Sequence, residues 1–269
     1  MNTAVRQLQT RMVEKVWGRK QLPEPFAAPA GTRIGEIWFE PPPELPNLLI
    51  KYLFTSEKLS VQVHPSDADA LPDEAGKEEC WLVLEAEPGA RLAIGFRDTL
   101  APERIEAAAR DGSIEGLLEW HDARAGDIFY LPAGTVHAIG PGLALVEVQQ
   151  ASDTTFRLYD YGRPRELHLD RALAVAMGSP YPAEHRGTVA ERGVRLIDGP
   201  FFRLDRIEGK PSDEVASIYD GPLFALPLEG RIHGIGGDAR AGPGECLYAP
   251  TLSALSFAEA TVSLLVRPT

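Results

Sequence analysis

Gln62 and His64 stand two residues apart in an extended run, Leu59-Ser60-Val61-Gln62-Val63-His64. Side chains at i and i+2 of a strand share a face, so the amide and the imidazole point one way and Val61 and Val63 the other. Polar groups on the inner face of a closed sheet are costly unless they bind something. Glu79 lies on the following strand, on the face of Trp81, and His137 follows the turn Pro132-Ala133-Gly134-Thr135. Together these four residues offer two imidazole nitrogens and two oxygens, a set suited to a borderline divalent ion such as zinc. Either histidine alone would read as a hydrogen-bonded core residue; the set and its spacing point to a metal.

The elements that must position these groups are short strands. The chain has 23 prolines and 25 glycines, and they punctuate β-rich runs at 49–54, 59–64, 80–84 and 128–131. Many short strands with Gly/Pro turns indicate a sandwich or barrel. Helical pattern is sparse: one or two short helices within 102–120, and another over 169–177 stopped by Gly178. An internal repeat is visible. Asp122-Ala123-Arg124-Ala125-Gly126-Asp127 is echoed by Asp238-Ala239-Arg240-Ala241-Gly242. Gly126 and Gly244 each precede a proline by the same interval (Pro132, Pro250), and five residues beyond stand His137 and Leu255. These are read as two related β-units, the second without its histidine and hence without a metal.

Gly126, five residues, then Pro132-Ala133-Gly134-Thr135-Val136-His137 spells G-x5-P-x-G-x2-H, the second motif of cupin barrels. The first cupin motif usually reads H-x-H followed closely by Glu. Here Gln62-Val63-His64-Pro65 is followed by Lys77-Glu78-Glu79, and this variant resembles the type I mannose-6-phosphate isomerases. Trp17-Gly18, Gly35-Glu36-Ile37-Trp38 and the stretch 145–161, with Gln149-Gln150-Ala151-Ser152-Asp153-Thr154-Thr155-Phe156-Arg157, resemble the short bacterial branch of that family. The strong resemblance covers roughly the first 165 residues, an ordinary domain size; beyond that it is architectural.

The resemblance implies one divalent ion, zinc, on Gln62, His64, Glu79 and His137. It implies a sugar-phosphate substrate, with mannose 6-phosphate and fructose 6-phosphate interconverted through an enediolate. It places the catalytic arginine at Arg157 and brings Asp153 into the site. Lys77 shares the predicted face of Glu79 and is read as a pocket residue. The proton-transferring base stays open between Lys77, Asp153 and His64. Arg163 and Arg165 are read as surface cover, and Glu78, alternating away from Glu79, as solvated. His121, His168, His185 and His233 have no partner in motif spacing. Trp17 and Trp38 fit a pocket wall or a core equally well.

Composition narrows the remaining classes. A formal net charge of −12 disfavours nucleic acid as a partner. No apolar run is long enough to span a membrane, and the N-terminal residues lack the features of a secretory signal. The two cysteines, Cys80 and Cys246, form no thiolate metal motif and suit a reducing cytoplasm. The expected fold is all-β: a cupin jelly-roll barrel with small helical insertions, plus a second, degenerate cupin-like β domain. The expected division is a catalytic barrel over 1–165, a helical connector over 166–194 and a metal-free β domain over 195–269 that covers a face or edge of the first. The rival readings are another metal-dependent cupin sugar isomerase, epimerase or oxygenase, and a non-catalytic sugar-binding cupin.

Overall fold

The structure, a computed structural model, describes residues 4–269 as three antiparallel sheets with short helices between them. Two of the sheets face each other as the first barrel. One has seven strands, in the order Arg186–Thr188, Asp127–Leu131, Glu79–Ala86, Leu143–Gln150, Leu48–Phe54, Ile34–Phe39 and Thr10–Arg19. The other has five: Phe156–Tyr159, Val61–Val63, His137–Ile139, Arg91–Phe96 and Leu118–Asp122. The third sheet is built mainly from residues after 194, with the long strands Leu223–Gly234 and Leu255–Pro268 at its centre. Strand Arg6–Gln7 also joins it, Arg6 opposite Tyr248.

Strands Leu48–Phe54 and Leu143–Gln150 are buried at every residue. They read as near-continuous apolar runs because both of their faces are covered. One face looks into the first barrel. The other, with Ile50, Tyr52, Val146 and Val148, packs on Leu204, Phe224, Leu264 and Val266 of the third sheet. The C-terminal unit therefore lies against a barrel face. On the far side, Ile105, Ala108 and Ala109 of helix Pro102–Asp111 cover the outside of the five-stranded sheet at Val61, Val63 and Ala93.

Several local expectations shift. The stretch 102–120 holds two helices, Pro102–Asp111 and Ile114–Leu117, but Trp120 belongs to strand Leu118–Asp122. The later helix ends at Val175, and Met177 instead bridges to Thr135. Strand Arg186–Thr188, in the stretch read as helical, pairs with Asp127–Leu131 and extends the seven-stranded sheet. No helix among the described residues is long and apolar enough to cross a membrane.

The two repeat units keep their turn chemistry. Gly126 and Gly244 both take left-handed backbone, with φ of 90° and 83°, which suits glycine. Each precedes a strand, Asp127–Leu131 or Leu247–Ala249, and His137 and Leu255 each open the next one. Leu255 packs into an apolar cluster with Leu247 and Phe257.

Candidate metal centre

The strand register aligns the polar residues. Gln62 lies directly opposite His137 on one neighbouring strand and opposite Arg157 on the other. The three form one row across the five-stranded sheet. Glu79, first residue of its strand, comes from the facing sheet. A turn ties the row together: the Gly134 amide donates to the carbonyl of His64 at 2.8 Å. Gly134 has φ of 82°, and a Cβ there would sit 2.8 Å from the carbonyl oxygen of Val175. The glycine of the motif is thus required twice, for its backbone angle and for its space.

Both imidazoles are fixed through Nδ1. His64 Nδ1 lies 2.9 Å from the carbonyl of Thr154, and His137 Nδ1 lies 2.9 Å from that of Thr135. A carbonyl can only accept, so Nδ1 carries the proton and Nε2 presents its lone pair. Each Nε2 lies 3.5 Å from a different oxygen of Glu79. Gln62 Nε2 stands 3.2 Å from His137 Nε2, and Gln62 Oε1 accepts from Ser60 Oγ at 3.2 Å. A half-turn of this amide would bring its oxygen to the cluster instead.

The donor set fits a divalent ion. Ligand atoms from His64, Glu79 and His137 all lie within 4.8 Å of one another. Each Nε2 stands 3.5 Å from its own Glu79 oxygen, near the roughly 3.4 Å spacing of two ligand atoms on arms of about 2.1 Å. Glu79 is 1% exposed, and its Oε2 makes no hydrogen bond. Lys77 Nζ stands 3.2 Å from that oxygen, at ion-pair distance but off the hydrogen-bond line. Histidines anchored through Nδ1 on carbonyls are the usual support of a metal ligand.

Charge follows burial. Burial lowers the pKa of both histidines, His137 to about 4, so both rings are neutral near pH 7. Burial and the nearby Glu147 push Glu79 up to about 7, against the pull of Lys77 and Lys51. An ion needs the Glu79 carboxylate unprotonated. Below about pH 7 a proton must leave first, so zinc affinity should fall by up to about tenfold per pH unit. Competition titrations between pH 5.5 and 8.5 measure this; a flat profile would refute it.

Glu79, with Gln62 beside it, opens this cluster onto a cavity of about 310 Å³. Lys77 is 6% exposed, with Nζ also 3.2 Å from His64 Nε2. Arg157 and Asp153 line the same cavity, Asp153 at its exposed rim. Arg157 Nε is buried without a partner. Trp17 is both cavity wall and core, and Trp38 bonds Glu36 at 2.7 Å. Three larger hollows lie elsewhere: about 720 and 760 Å³ on the C-terminal unit and its junction, and about 360 Å³ beside His121 and Arg186. Among the described residues, His64, Glu79 and His137 are the one such cluster, and Glu79 lines the cavity of about 310 Å³.

Some assignments change. Arg165 lines the cavity and is held by two hydrogen bonds to Asp160, of 2.6 and 2.7 Å, so it is not mere surface cover. His168 also lines it and accepts from the Arg157 backbone amide at 3.2 Å. Glu78 is half-buried and accepts a hydrogen bond from the Tyr130 hydroxyl.

Two cavity residues stand apart from the motifs. Lys51 and Glu147 lie opposite each other on paired strands and form a buried ion pair at 3.2 Å. Trp81 Nε1 donates to the other Glu147 oxygen at 3.0 Å, and its ring meets His137 edge-on at 5.3 Å. Burial alone would raise the Glu147 pKa, but Lys51 and Lys77 outweigh it and keep the carboxylate charged. Trp81→Phe removes the N–H and leaves the ring against His137. It should cost roughly tenfold in activity or in zinc affinity, the low end for a lost supporting hydrogen bond. Steady-state kinetics with zinc titration would show whether the two separate.

Fold and site together define a cupin with a buried cluster of two imidazoles and a carboxylate. The curated relatives that it matches bear the name mannose-6-phosphate isomerase. The protein of that name from Streptococcus mutans is 39% identical over 169 residues, 58% of this chain and 53% of the relative. Mannose-6-phosphate isomerase ManA of Bacillus subtilis is 41% identical over 216 residues, 75% of this chain and 65% of the relative. The chain thus spans between about half and two thirds of the length of these curated relatives. An alignment of 216 residues necessarily runs past residue 165, so the likeness in sequence is not confined to the first 165 residues. No protein-family model matches. Among solved structures, the Bacillus subtilis mannose 6-phosphate isomerase superposes with a TM-score of 0.79 at 23% identity, covering 98% of this chain and 99% of that one. A zinc-bound holo mannose 6-phosphate isomerase gives 0.69 at 15%, covering 99% and 100%. These likenesses show the fold that the motifs imply.

Proposed function

We propose that the chain is a metal-dependent aldose–ketose isomerase that interconverts mannose 6-phosphate and fructose 6-phosphate. The observation that carries this is the convergence of His64, Glu79 and His137, with Gln62 beside them, next to one cavity that Gln62 and Glu79 line together with Lys77, Arg157 and Asp153. The names of its relatives support the substrate. Gln62, His64, Glu79 and His137 would hold one divalent ion, with zinc favoured by the donor set and by the zinc-bound structural neighbour. A divalent ion there would polarise the sugar's carbonyl and hydroxyl oxygens and so ease loss of a proton from carbon.

The chain's own residues would do the rest. Arg157 offers a permanent positive charge and an unpartnered Nε to the enediolate or phosphate oxygens. Lys77 Nζ would hold or return a proton beside the reacting carbons. Burial lowers the basicity of this lysine, but Glu79, Glu147 and Glu36 outweigh that and keep it an ammonium; positive charge brought close by would ease its deprotonation. Asp153 at the rim is placed to meet the incoming sugar. His64 is the weakest candidate for the base, since its Nε2 is committed to the cluster.

The same reading divides the chain into a catalytic barrel over 1–165, a connector over 166–194 that lends strand Arg186–Thr188 to the barrel, and a metal-free β domain over 195–269 that is joined by strand Arg6–Gln7, in a cytoplasmic protein. A coupled assay of the zinc-loaded chain tests the activity. Formation of fructose 6-phosphate from mannose 6-phosphate is expected; turnover of another aldose alone would move the assignment to a different isomerase.

A further inference from the structure

His64 has a single lone pair to give, because its Nδ1 proton is spent on the carbonyl of Thr154 at 2.9 Å. That lone pair, on Nε2, meets Lys77 Nζ at 3.2 Å. The same Nζ stands 3.2 Å from Glu79 Oε2. Lys77 therefore engages donor atoms on two of the four proposed ligands. An ammonium has three protons and no lone pair, so it cannot join a metal's ligand set. One in-plane lone pair cannot serve an ammonium proton and a metal ion at once. Two positive charges a few ångströms apart in a buried site also repel strongly.

On the ion site proposed above, we infer that Lys77 and the divalent ion compete for His64 and Glu79, so that loading the ion drives the Lys77 ammonium off both ligands and into the cavity. The main chain need not follow. Lys77 N stays bonded to the carbonyl of Pro65 at 2.9 Å, and the four-carbon stem supplies the movement. The cavity offers the ammonium other anchors, because Glu36 and Glu147 also line it. Ion loading would then do two things at one site: fill the ligand cluster, and deliver Lys77 to where the sugar binds.

Zinc affinity, measured by competition with a chromophoric chelator, tests this on the full chain. Lys77→Met and Lys77→Gln should each bind zinc roughly tenfold more tightly than the wild type, since the competing charge is gone. Equal or weaker binding by the folded variants overturns the inference. The wild type supplies a second readout that needs no variant. With 15N-labelled lysine, the Nζ resonance of Lys77 should shift when one equivalent of zinc is added; a resonance that stays in place overturns it. A wild-type chain that binds no zinc removes the ion site and this inference together. A chain that binds zinc while Lys77 is indifferent removes the inference alone. Neither readout depends on turnover.

Discussion

His137→Ala should lower turnover roughly a thousandfold and abolish tight zinc binding. The imidazole is 1% exposed, with Nδ1 anchored on Thr135 and Nε2 3.5 Å from Glu79. Alanine removes one of two nitrogen donors and offers nothing in its place. The cation's share of transition-state charge stabilisation is several kcal/mol, and about 4 kcal/mol corresponds to that factor. The fold should survive, because the strand keeps its pairing through the backbone of Ala138 and Ile139. Circular dichroism together with metal analysis separates the outcomes. A folded variant that keeps one zinc per chain and near-normal turnover would refute His137 as a ligand.

The second large effect is expected at Arg157. Arg157→Ala should cost about 10²–10³ in kcat, the usual range for removing one preorganised partner of developing negative charge. Zinc content should not change, since Arg157 sits across Gln62 from His137 and a guanidinium has no lone pair to give a metal. Arg157→Lys should recover only part of the loss. An ammonium lacks the planar fork that grips two oxygens. Full activity in Arg157→Ala would remove this residue from the mechanism while leaving the ion site intact.

The ligand set is legible in the sequence because strand period and turn chemistry are local properties. Gln62 and His64 share a face by their spacing, and the left-handed backbone of Gly126 and Gly134 belongs to their turns. Lys51 and Glu147 are harder to read. Each interrupts an apolar run, Leu48–Phe54 and Leu143–Gln150, and a lone charge inside such a run is itself a signal. Their meaning, however, comes from pairing across two strands almost a hundred residues apart, which no single segment encodes. Arg165 and His168 mislead for the same reason. They lie in a polar loop that reads as surface until Asp160 turns one inward and the Arg157 amide fixes the other. Glu78 alternates away from the barrel interior as strand period demands, but the face it turns to is sheltered by Tyr130. Outward means solvent only where nothing packs outside.

Zinc K-edge X-ray absorption on the loaded chain tests the central claim most directly. The account predicts one zinc with two imidazole nitrogens and further oxygen donors, all at about 2.0–2.2 Å. A sulfur shell at about 2.3 Å, or fewer than two imidazoles, would contradict it.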